Sequence, residues 1–196
     1  MIRCLFLCLA NPRQIIYRLT KCGELCLGIF STVVPGSGGD VEAIGVGRPV
    51  ETDREDGAIS VLLGHVVATK TNSTRVTDAS MAYPQDWDAE HPAPSELGHQ
   101  EDGRTIALHS VAVAPQVQGR GIGRVLVLAY MQHMNGAGIA DRLVLLAHDV
   151  SAVLSRMVCT AFNTSHSIWF RGTKDLALRI RGRASVLLEE ADGVIW

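Results

Sequence analysis

A strand, a glycine-rich turn and a helix follow one another in the middle of this chain, and they constrain its fold more than any other feature. The apolar run TIALHSVAV (105–113) predicts a strand, which Pro115 closes. The turn QVQGRGIG (116–123) comes next and has glycine at three of its last five positions. Since glycine is costly to order, such a turn indicates a left-handed backbone or a close approach to the main chain.

The segment after the turn completes a βαβ unit. Apolar side chains recur at helical spacing, at Ile122, Val125, Leu126, Ala129 and Tyr130. Asn135 and Gly136 predict the end of that helix. RLVLLA (142–147) is a continuous apolar run, which is typical of a buried strand. The order predicts two parallel strands joined by a right-handed crossover.

The rest of the chain predicts one α/β domain with a mixed (α+β) sheet. Residues 25–30 and AISVLLGHVVATK (58–70) predict two more strands, the second with Gly64 at a bulge. Residues 33–57 are rich in glycine and acids, so they predict a hairpin or loop. Residues 81–104 contain three prolines and several acids, and they predict a long loop.

Composition narrows the classes of function. With 18 basic and 20 acidic side chains, the net charge of −2 offers no general attraction for nucleic acid or an anionic membrane. No apolar stretch approaches membrane-spanning length, and the short apolar run at residues 4–10 is not expected to be a signal peptide. The five cysteines predict buried or half-buried free thiols in a reducing, cytoplasmic location. Cys22 and Cys26 have no nearby His or Cys to complete a metal site.

The glycine turn has the chemistry of an anion site. Backbone N–H groups and the dipole at a helix start attract an anion, and glycine lets a phosphate approach them. Arg124 stands where a dinucleotide fingerprint needs its third glycine, and the Gly-Lys-Ser/Thr of a P-loop is absent. The pattern that fits is Gln-x-x-Gly-x-Gly, at Gln118, Gly121 and Gly123.

This pattern resembles the acetyl-CoA signature of the GNAT N-acetyltransferase superfamily. Over about residues 16–149 the chain resembles the serotonin (arylalkylamine) N-acetyltransferase group and its fungal relatives, in the stretches YRLTKCGELCLGIF, GHVVAT, VTDASM, GRTIALHSVAV, QGRGIG and RLVLLAHD. The resemblance implies the GNAT fold and acetyl-CoA as co-substrate, without a metal. It also implies acetylation of a small primary amine, either an arylalkylamine such as serotonin or tryptamine, or a diamine or polyamine.

The resemblance implies a set of site residues. The backbone of Val111, Ala112 and Val113 would hold the acetyl and pantetheine portion, and Leu108 would contact the substrate. His109 would accept the proton of the amine. The pyrophosphate would lie on Gln118, Gly119, Arg120, Gly121, Ile122, Gly123 and Arg124.

His109 suits proton acceptance because histidine titrates near neutrality and a protonated amine cannot attack a thioester. The family has a second histidine where this chain has Ala107. The other interpretation of His109 is a core histidine hydrogen-bonded to a neighbour, and His65 and His148 are predicted to be structural. Attack by the amine is expected to be direct, without an acyl-enzyme.

Two further expectations concern side chains around this site. Cys22 and Cys26 are not expected to act as nucleophiles. The 81–104 loop, with Trp87 and several acids, either lies over the amine site or is a solvated, mobile loop.

The family pattern breaks after residue 149. The family continues with a tyrosine general acid, Phe-Gly-Phe and Gly-Pro-Ser, whereas this chain has no tyrosine after Tyr130. Codon degeneracy allows the missing motifs in one shifted frame, with a splice-donor consensus at residues 150–151. We therefore hypothesise a retained intron over about residues 150–165, followed by frameshifted exon sequence. The strand at 142–147 would then lack its partner and lie at an edge.

The chain thus divides into a non-core N-terminal extension (1–15), a GNAT domain (16–149) that is incomplete at its C-terminus, and a shifted tail (150–196). Two rival hypotheses are a catalytically dead acetyl-CoA-binding protein and a misfolded product without the general acid and last strands. The identity of the amine and the oligomeric state stay open.

Overall fold

One mixed sheet organises the computed structural model of this chain, which describes residues 11–36, 49–146 and 175–179. Its strands are β1 (Leu27–Val33), β2 (Val50–Glu51), β3 (Ile59–Thr71), β4 (Thr105–Val113), β5 (Arg142–Leu146) and β6 (Asp175–Arg179). Their order is β1-β3-β4-β5-β6, and β2 pairs with the start of β3. The helices are α1 (Pro12–Lys21), α2 (Asp78–Met81) and α3 (Ile122–Ala137). The predicted α/β class with a mixed sheet is confirmed.

The central strand, β3, contains a bulge next to Gly64, its predicted position. Ile29 pairs with Gly64 and Phe30 with Leu62, so Leu63 is the extra residue. A Cβ on Gly64 would lie 2.7 Å from the carbonyl oxygen of Ala112 on β4, and glycine therefore permits the two strands to approach. β1 begins at residue 27 rather than 25, because residues 23–25 form a 3-10 turn.

The βαβ unit is confirmed, with one correction. β4 and β5 are parallel and α3 connects them. The helix does not end at Asn135 and Gly136, which lie in its last turn. Gly138, with φ 64°, is the C-cap, and its N–H bonds to the carbonyl oxygen of Met134 at 3.2 Å. A left-handed residue at the end of a helix satisfies such a carbonyl, and Gly138 is the glycine that adopts this conformation.

α3 packs on one face of the sheet. Its buried side chains are Leu126, Tyr130, Met131 and Met134, and they share one core with residues of β3, β4 and β5. Each such side chain contributes roughly 1.5–3 kcal/mol when fully buried, so this face fixes the crossover. Val125 was expected on the apolar face but is 55% exposed, because it lies about 100° around the helix from Leu126.

β6 covers the edge of β5. The two strands pair antiparallel, with Arg142 opposite Arg179 and Leu146 opposite Asp175. The prediction that the strand at 142–147 lacks a partner and lies at an edge is therefore wrong. Main-chain groups pair along an open edge whatever the side chains are. The proposed intron-derived stretch, His148, the rest of the tail and residues 1–10 lie outside the described residues.

The predicted long loop is confirmed between α2 and β4. Side chains of α1 bond to this loop and to the end of α2. Arg13 bonds to Asp88 at 2.9 Å, and Gln14 donates to the carbonyl oxygen of Met81 at 2.6 Å. Residues 12–15 therefore belong to the folded unit, and the predicted boundary after residue 15 falls inside α1. In the described ranges, no helix is long and apolar enough to cross a membrane.

Candidate active site

The glycine turn between β4 and α3 presents bare backbone. Gly119 and Gly121 have φ of 79° and 81°, in the left-handed region that strains other residues. A Cβ on either glycine would meet nothing within 4 Å, so the turn is open where side chains would stand. Gly121 caps α3 without a side-chain hydrogen bond.

The start of α3 supplies N–H groups to this open space. The first helical bond runs from the N–H of Val125 to the carbonyl oxygen of Gly121 at 3.1 Å. The N–H groups of Ile122, Gly123 and Arg124 therefore have no carbonyl partner within the helix. A helix of 16 residues adds a partial positive charge of about half an elementary charge here. The predicted residues 119–124 thus lie together at one helix start, where the N–H groups and the dipole favour an anion.

Within residues 11–36, 49–146 and 175–179, no strand pairs with the β5 side of β4 beyond Leu108. β5 pairs with β4 only as far as Leu108, whereas β4 continues to Val113. The N–H of Ala114 donates to the carbonyl oxygen of Leu63 at 2.8 Å, on the β3 side. Because main-chain groups alternate along a strand, those of Val111 and Val113 face the side from which β5 has separated. We call this side of residues 109–113 the open edge.

Gln118 ties the turn to the strand. Its Nε2 donates to the carbonyl oxygen of Val113 at 2.8 Å. Between them, residues 115–117 form a 3-10 turn in which Val117 is buried. The glutamine of the signature therefore holds the backbone of the site in place.

His109 occupies a β-bulge in β4. Its neighbours Leu108 and Ser110 pair with Ala68 and Val67, so His109 is the extra residue. A bulge leaves its extra residue outside the ladder and bends the strand. The last described pair between β4 and β5 is Leu108 with Leu145, so the bulge lies where the open edge begins.

Both ring nitrogens of His109 contact protein groups. Nε2 lies 2.8 Å from Thr69 Oγ1 and Nδ1 lies 3.2 Å from Met81 Sδ, and the residue is only 4% exposed. Burial, and then the positive charge of Arg18, hold the pKa of His109 well below its ordinary value. Enclosure therefore favours the neutral form of this imidazole. Its role as proton acceptor stays a prediction.

The side chain of Leu108, the predicted substrate contact, lies on the other face of the sheet from that of His109. It is half-buried and packs against the core beneath α3. Since consecutive side chains alternate between the faces of a strand, His109 is directed to the other face. The structure therefore does not bring these two predicted residues together.

A second histidine lies on the sheet face of His109. His65 Nε2 is 3.1 Å from Ser110 Oγ, and both residues are half-buried. His65 and Thr69 share one face of β3 because they are four residues apart in a strand, and Thr69 contacts His109. Burial lowers the pKa of His65. Strand alternation puts residues 65 and 69 on one face, which is the sequence signal for this placement.

The three tyrosines of the chain have structural surroundings. Tyr130 donates to the carbonyl oxygen of Leu25 at 3.1 Å, and burial raises the pKa of Tyr130. Tyr17 accepts a hydrogen bond from the N–H of His99 at 2.9 Å. The rings of Tyr83 and Trp87 each lie 5.7 Å from that of Tyr17. This aromatic cluster joins the loop to α1.

The described cysteines are structural as well. Burial raises the pKa of the Cys22 thiol to about 12 and also raises the pKa of Cys26. The predicted burial of these thiols is confirmed, and neither has the low pKa of a nucleophile. Among the residues that the structure describes, no group of three or more His, Cys, Asp or Glu side chains is arranged to hold a metal ion.

Known proteins resemble parts of this chain. A mycothiol acetyltransferase from a Nocardioides species is 32% identical over 63 residues, which are 32% of this chain and 21% of that protein. The chain thus matches about a fifth of the length of this curated relative.

Two solved structures are similar at low identity. A GNAT family N-acetyltransferase from Escherichia coli, in complex with CoA, has a TM-score of 0.35 and 17% identity, with 83% of this chain and 90% of that chain covered. A GphF GNAT-like decarboxylase in complex with isobutyryl-CoA has a TM-score of 0.42 and 13% identity, with 75% and 57% covered.

The acetyltransferase (GNAT) family model matches residues 54–153, about half of the chain. The matched range runs from β3 through β4, the glycine turn and α3 to β5. On this match, the chain belongs to the acetyltransferase (GNAT) family.

Proposed function

We propose that this protein transfers an acetyl group from acetyl-CoA to the primary amine of a small molecule. The observation that carries the proposal is the bare glycine turn beside the open edge of β4. A diphosphate suits the N–H groups at the start of α3, since they lack helical partners and the dipole favours an anion. The amides of a pantetheine arm suit Val111 and Val113, because an open strand edge binds amides as it would another strand.

The protein contributes position and charge stabilisation to this reaction. The N–H of Val111 lies on the open edge next to the bulge, where it would donate to a thioester carbonyl oxygen as negative charge develops. An ordinary thiol has a pKa of about 8.5, so a thiolate leaves readily and a tyrosine acid is not indispensable. The amine attacks in its neutral form and must lose one proton.

Among amines, we propose an arylalkylamine such as tryptamine or serotonin before a diamine or polyamine. Arg18 is 3% exposed and donates to the carbonyl oxygen of Met81 at 2.8 Å, and Met81 contacts His109. A buried positive charge here disfavours a second cation and favours a substrate whose remaining part is apolar. Asp88, one acid of the loop between α2 and β4, already forms an ion pair with Arg13, so its charge is not available to a second cation.

The alternative is a protein that binds acetyl-CoA without turnover. It is favoured by the enclosure of His109 and by the structural hydrogen bonds of Tyr17 and Tyr130. On this alternative the glycine turn keeps its ligand, whereas none of the residues that the structure describes receives the amine proton.

Two measurements separate these functions. Calorimetry with CoA tests the glycine turn, and release of free thiol from acetyl-CoA with tryptamine or spermidine tests turnover. We expect CoA binding and faster release with tryptamine than with spermidine. Binding without release would support the alternative, and absence of binding would contradict the role of the glycine turn. A chain that also lacked a cooperative unfolding transition would be the misfolded product.

We also propose a cytoplasmic location, which the buried free thiols support because such thiols suit a reducing compartment. Fractionation with an antibody to the chain tests it, and recovery in a secreted fraction would contradict it.

We propose separately that residues 150–196 derive from a retained intron and a shifted frame. The ordered motifs that codon degeneracy permits support this, and cDNA sequence over codons 145–196 that forbids them would end it.

A further inference from the structure

We propose that Ser110 and His65 form the proton path of the acetyl transfer: Ser110 receives a proton from the attacking amine and passes its own hydroxyl proton to His65. This inference rests on the proposed function above and names the residues that complete it. It assigns to His65 a role that its sequence context does not indicate, since it lies in the middle of an apolar strand.

The position of Ser110 connects this pair to the reacting groups. Ser110 directly follows the bulge residue His109 and directly precedes Val111, whose N–H faces the open edge. A thioester carbonyl held by that N–H would therefore lie within one residue of the Ser110 hydroxyl. The 3.1 Å contact between Ser110 Oγ and His65 Nε2 then leads away from the open edge, along the sheet face, to β3.

The bulge explains why two consecutive residues of β4 reach the same face. His109 contacts Thr69 and Ser110 contacts His65, and these two partners lie four residues apart on β3. Without the extra residue, consecutive side chains would alternate and Ser110 would be directed towards the α3 side. The bulge therefore allows two histidine contacts on one face. The contact of His109 with Thr69 is buried, and the contact of His65 with Ser110 is half-buried.

His109 is less suited to the same task. Its Nε2 and Nδ1 are held by Thr69 and Met81, and it is 4% exposed, so an amine reaches it only after Met81 moves. His65 needs no such movement, since Ser110 lies between its ring and the open edge. Burial also lowers the pKa of His65, which keeps its imidazole uncharged and able to accept a proton.

The proton transfer balances without another reagent. The amine nitrogen donates its lone pair to the thioester carbon, and a C–N bond forms. The surplus proton on nitrogen passes to Ser110 Oγ while the hydroxyl proton passes to His65 Nε2, so Ser110 remains neutral and His65 becomes imidazolium. The C–S bond breaks with its electron pair on sulfur. The imidazolium proton returns through solvent to the thiolate, which restores His65 and gives the free thiol.

The test uses the full chain with acetyl-CoA and tryptamine. We expect His65→Gln to lower kcat by about 100-fold, the usual contribution of a general base, with the KM for acetyl-CoA changed by less than about twofold. Ser110→Ala should lower kcat by about tenfold, because water replaces the lost hydroxyl imperfectly. Added imidazole should restore part of the activity of His65→Ala, which a purely structural histidine would not permit.

The matched control is His133→Gln, which removes an exposed histidine of α3 and should leave kcat unchanged. Wild-type kcat in folded His65→Gln, with activity lost in folded His109→Asn, would overturn the proposal in favour of His109. If the His65 variants do not fold, wild-type kcat in Ser110→Ala overturns it. A wild-type protein that binds CoA but acetylates no amine overturns the proposed function itself, and this inference with it.

Discussion

The glycine turn and the surroundings of His109 lie close together along one strand and its continuation, yet they are built in opposite ways. The turn leaves helix N–H groups without helical partners and leaves open space at Gly119 and Gly121. Around His109, both ring nitrogens have protein partners and the side chain is enclosed. Groups that the protein has already satisfied stabilise the fold, whereas groups left open at an ordered position are available to a ligand.

This difference separates residue type from residue role. Histidine is the usual proton acceptor near neutral pH, but enclosure of His109 favours its neutral form and blocks approach. Glycine carries no functional group, but the main chain is exposed at Gly121 because this residue has no side chain. The partners of a residue therefore decide its chemistry more than its identity does.

The largest effect is expected from a substitution that fills the open space at the glycine turn. Gly121→Val places a branched side chain at φ 81°, which costs about 1–3 kcal/mol, and it fills the space in front of the helix start. We expect the affinity for CoA to fall by about 100-fold, equivalent to about 2.7 kcal/mol, in calorimetry.

Gly136→Ala is the control for that variant. Gly136 lies inside α3 and its Cβ would meet nothing within 4 Å. Alanine there should raise the free energy of unfolding by about 0.5–1 kcal/mol and leave CoA binding unchanged. A folded Gly121→Val protein with wild-type affinity would show that the diphosphate does not lie on this turn.

The next largest effect is expected from removing a hydrogen-bond partner of the enclosed His109. Thr69→Val removes the hydroxyl that contacts buried His109 Nε2, and an unsatisfied buried group costs about 1–3 kcal/mol in the free energy of unfolding. Thr69→Ser keeps the hydroxyl and loses one methyl group, which costs about 0.8 kcal/mol. Urea unfolding measures both variants, and equal losses would contradict a stabilising role for the contact.

A pH series sharpens the same comparison. The folded-state pKa of His109 lies below the unfolded value of about 6.5, so the unfolded chain binds the proton more readily. The stabilisation is complete above about pH 6.5 and is lost as the pH falls towards the folded pKa, and His65 acts in the same direction. Urea unfolding between pH 8 and 5 should show decreasing stability, with a smaller decrease in His109→Asn. Stability that rose with acid would be the opposite result.

The smallest effect concerns the exposed ion pair that joins α1 to the loop between α2 and β4. Arg13 and Asp88 are 48% and 49% exposed, so Arg13→Ala should cost about 0.2–1 kcal/mol in urea unfolding, and less at high salt. Arg54→Ala, which breaks the exposed pair with Asp56 away from the loop, is the matched control. A loss of several kcal/mol for Arg13→Ala alone would contradict the small contribution expected of an exposed ion pair.

The sequence was most informative where local patterns decide the structure. Apolar runs and helical spacing predict β4, α3 and β5, and the glycine pattern predicts a turn suited to an anion. Contacts between distant residues escaped prediction: the His109 ring meets Thr69, 40 residues away, and the His65 ring meets Ser110, 45 residues away. Both contacts depend on strand register and on the bulge, which no periodicity encodes. The pairing of β6 with β5 escaped for the same reason.

The most direct test of the glycine turn is the affinity of the wild-type protein for CoA compared with pantetheine, which lacks the diphosphate and nucleotide. Calorimetry should show CoA bound at least about 100-fold more tightly, since charged groups at a helix start form strong hydrogen bonds. Gly121→Val should remove most of that difference and leave pantetheine binding almost unchanged. Equal affinities in the wild-type protein, or a difference that survives in Gly121→Val, would contradict the account.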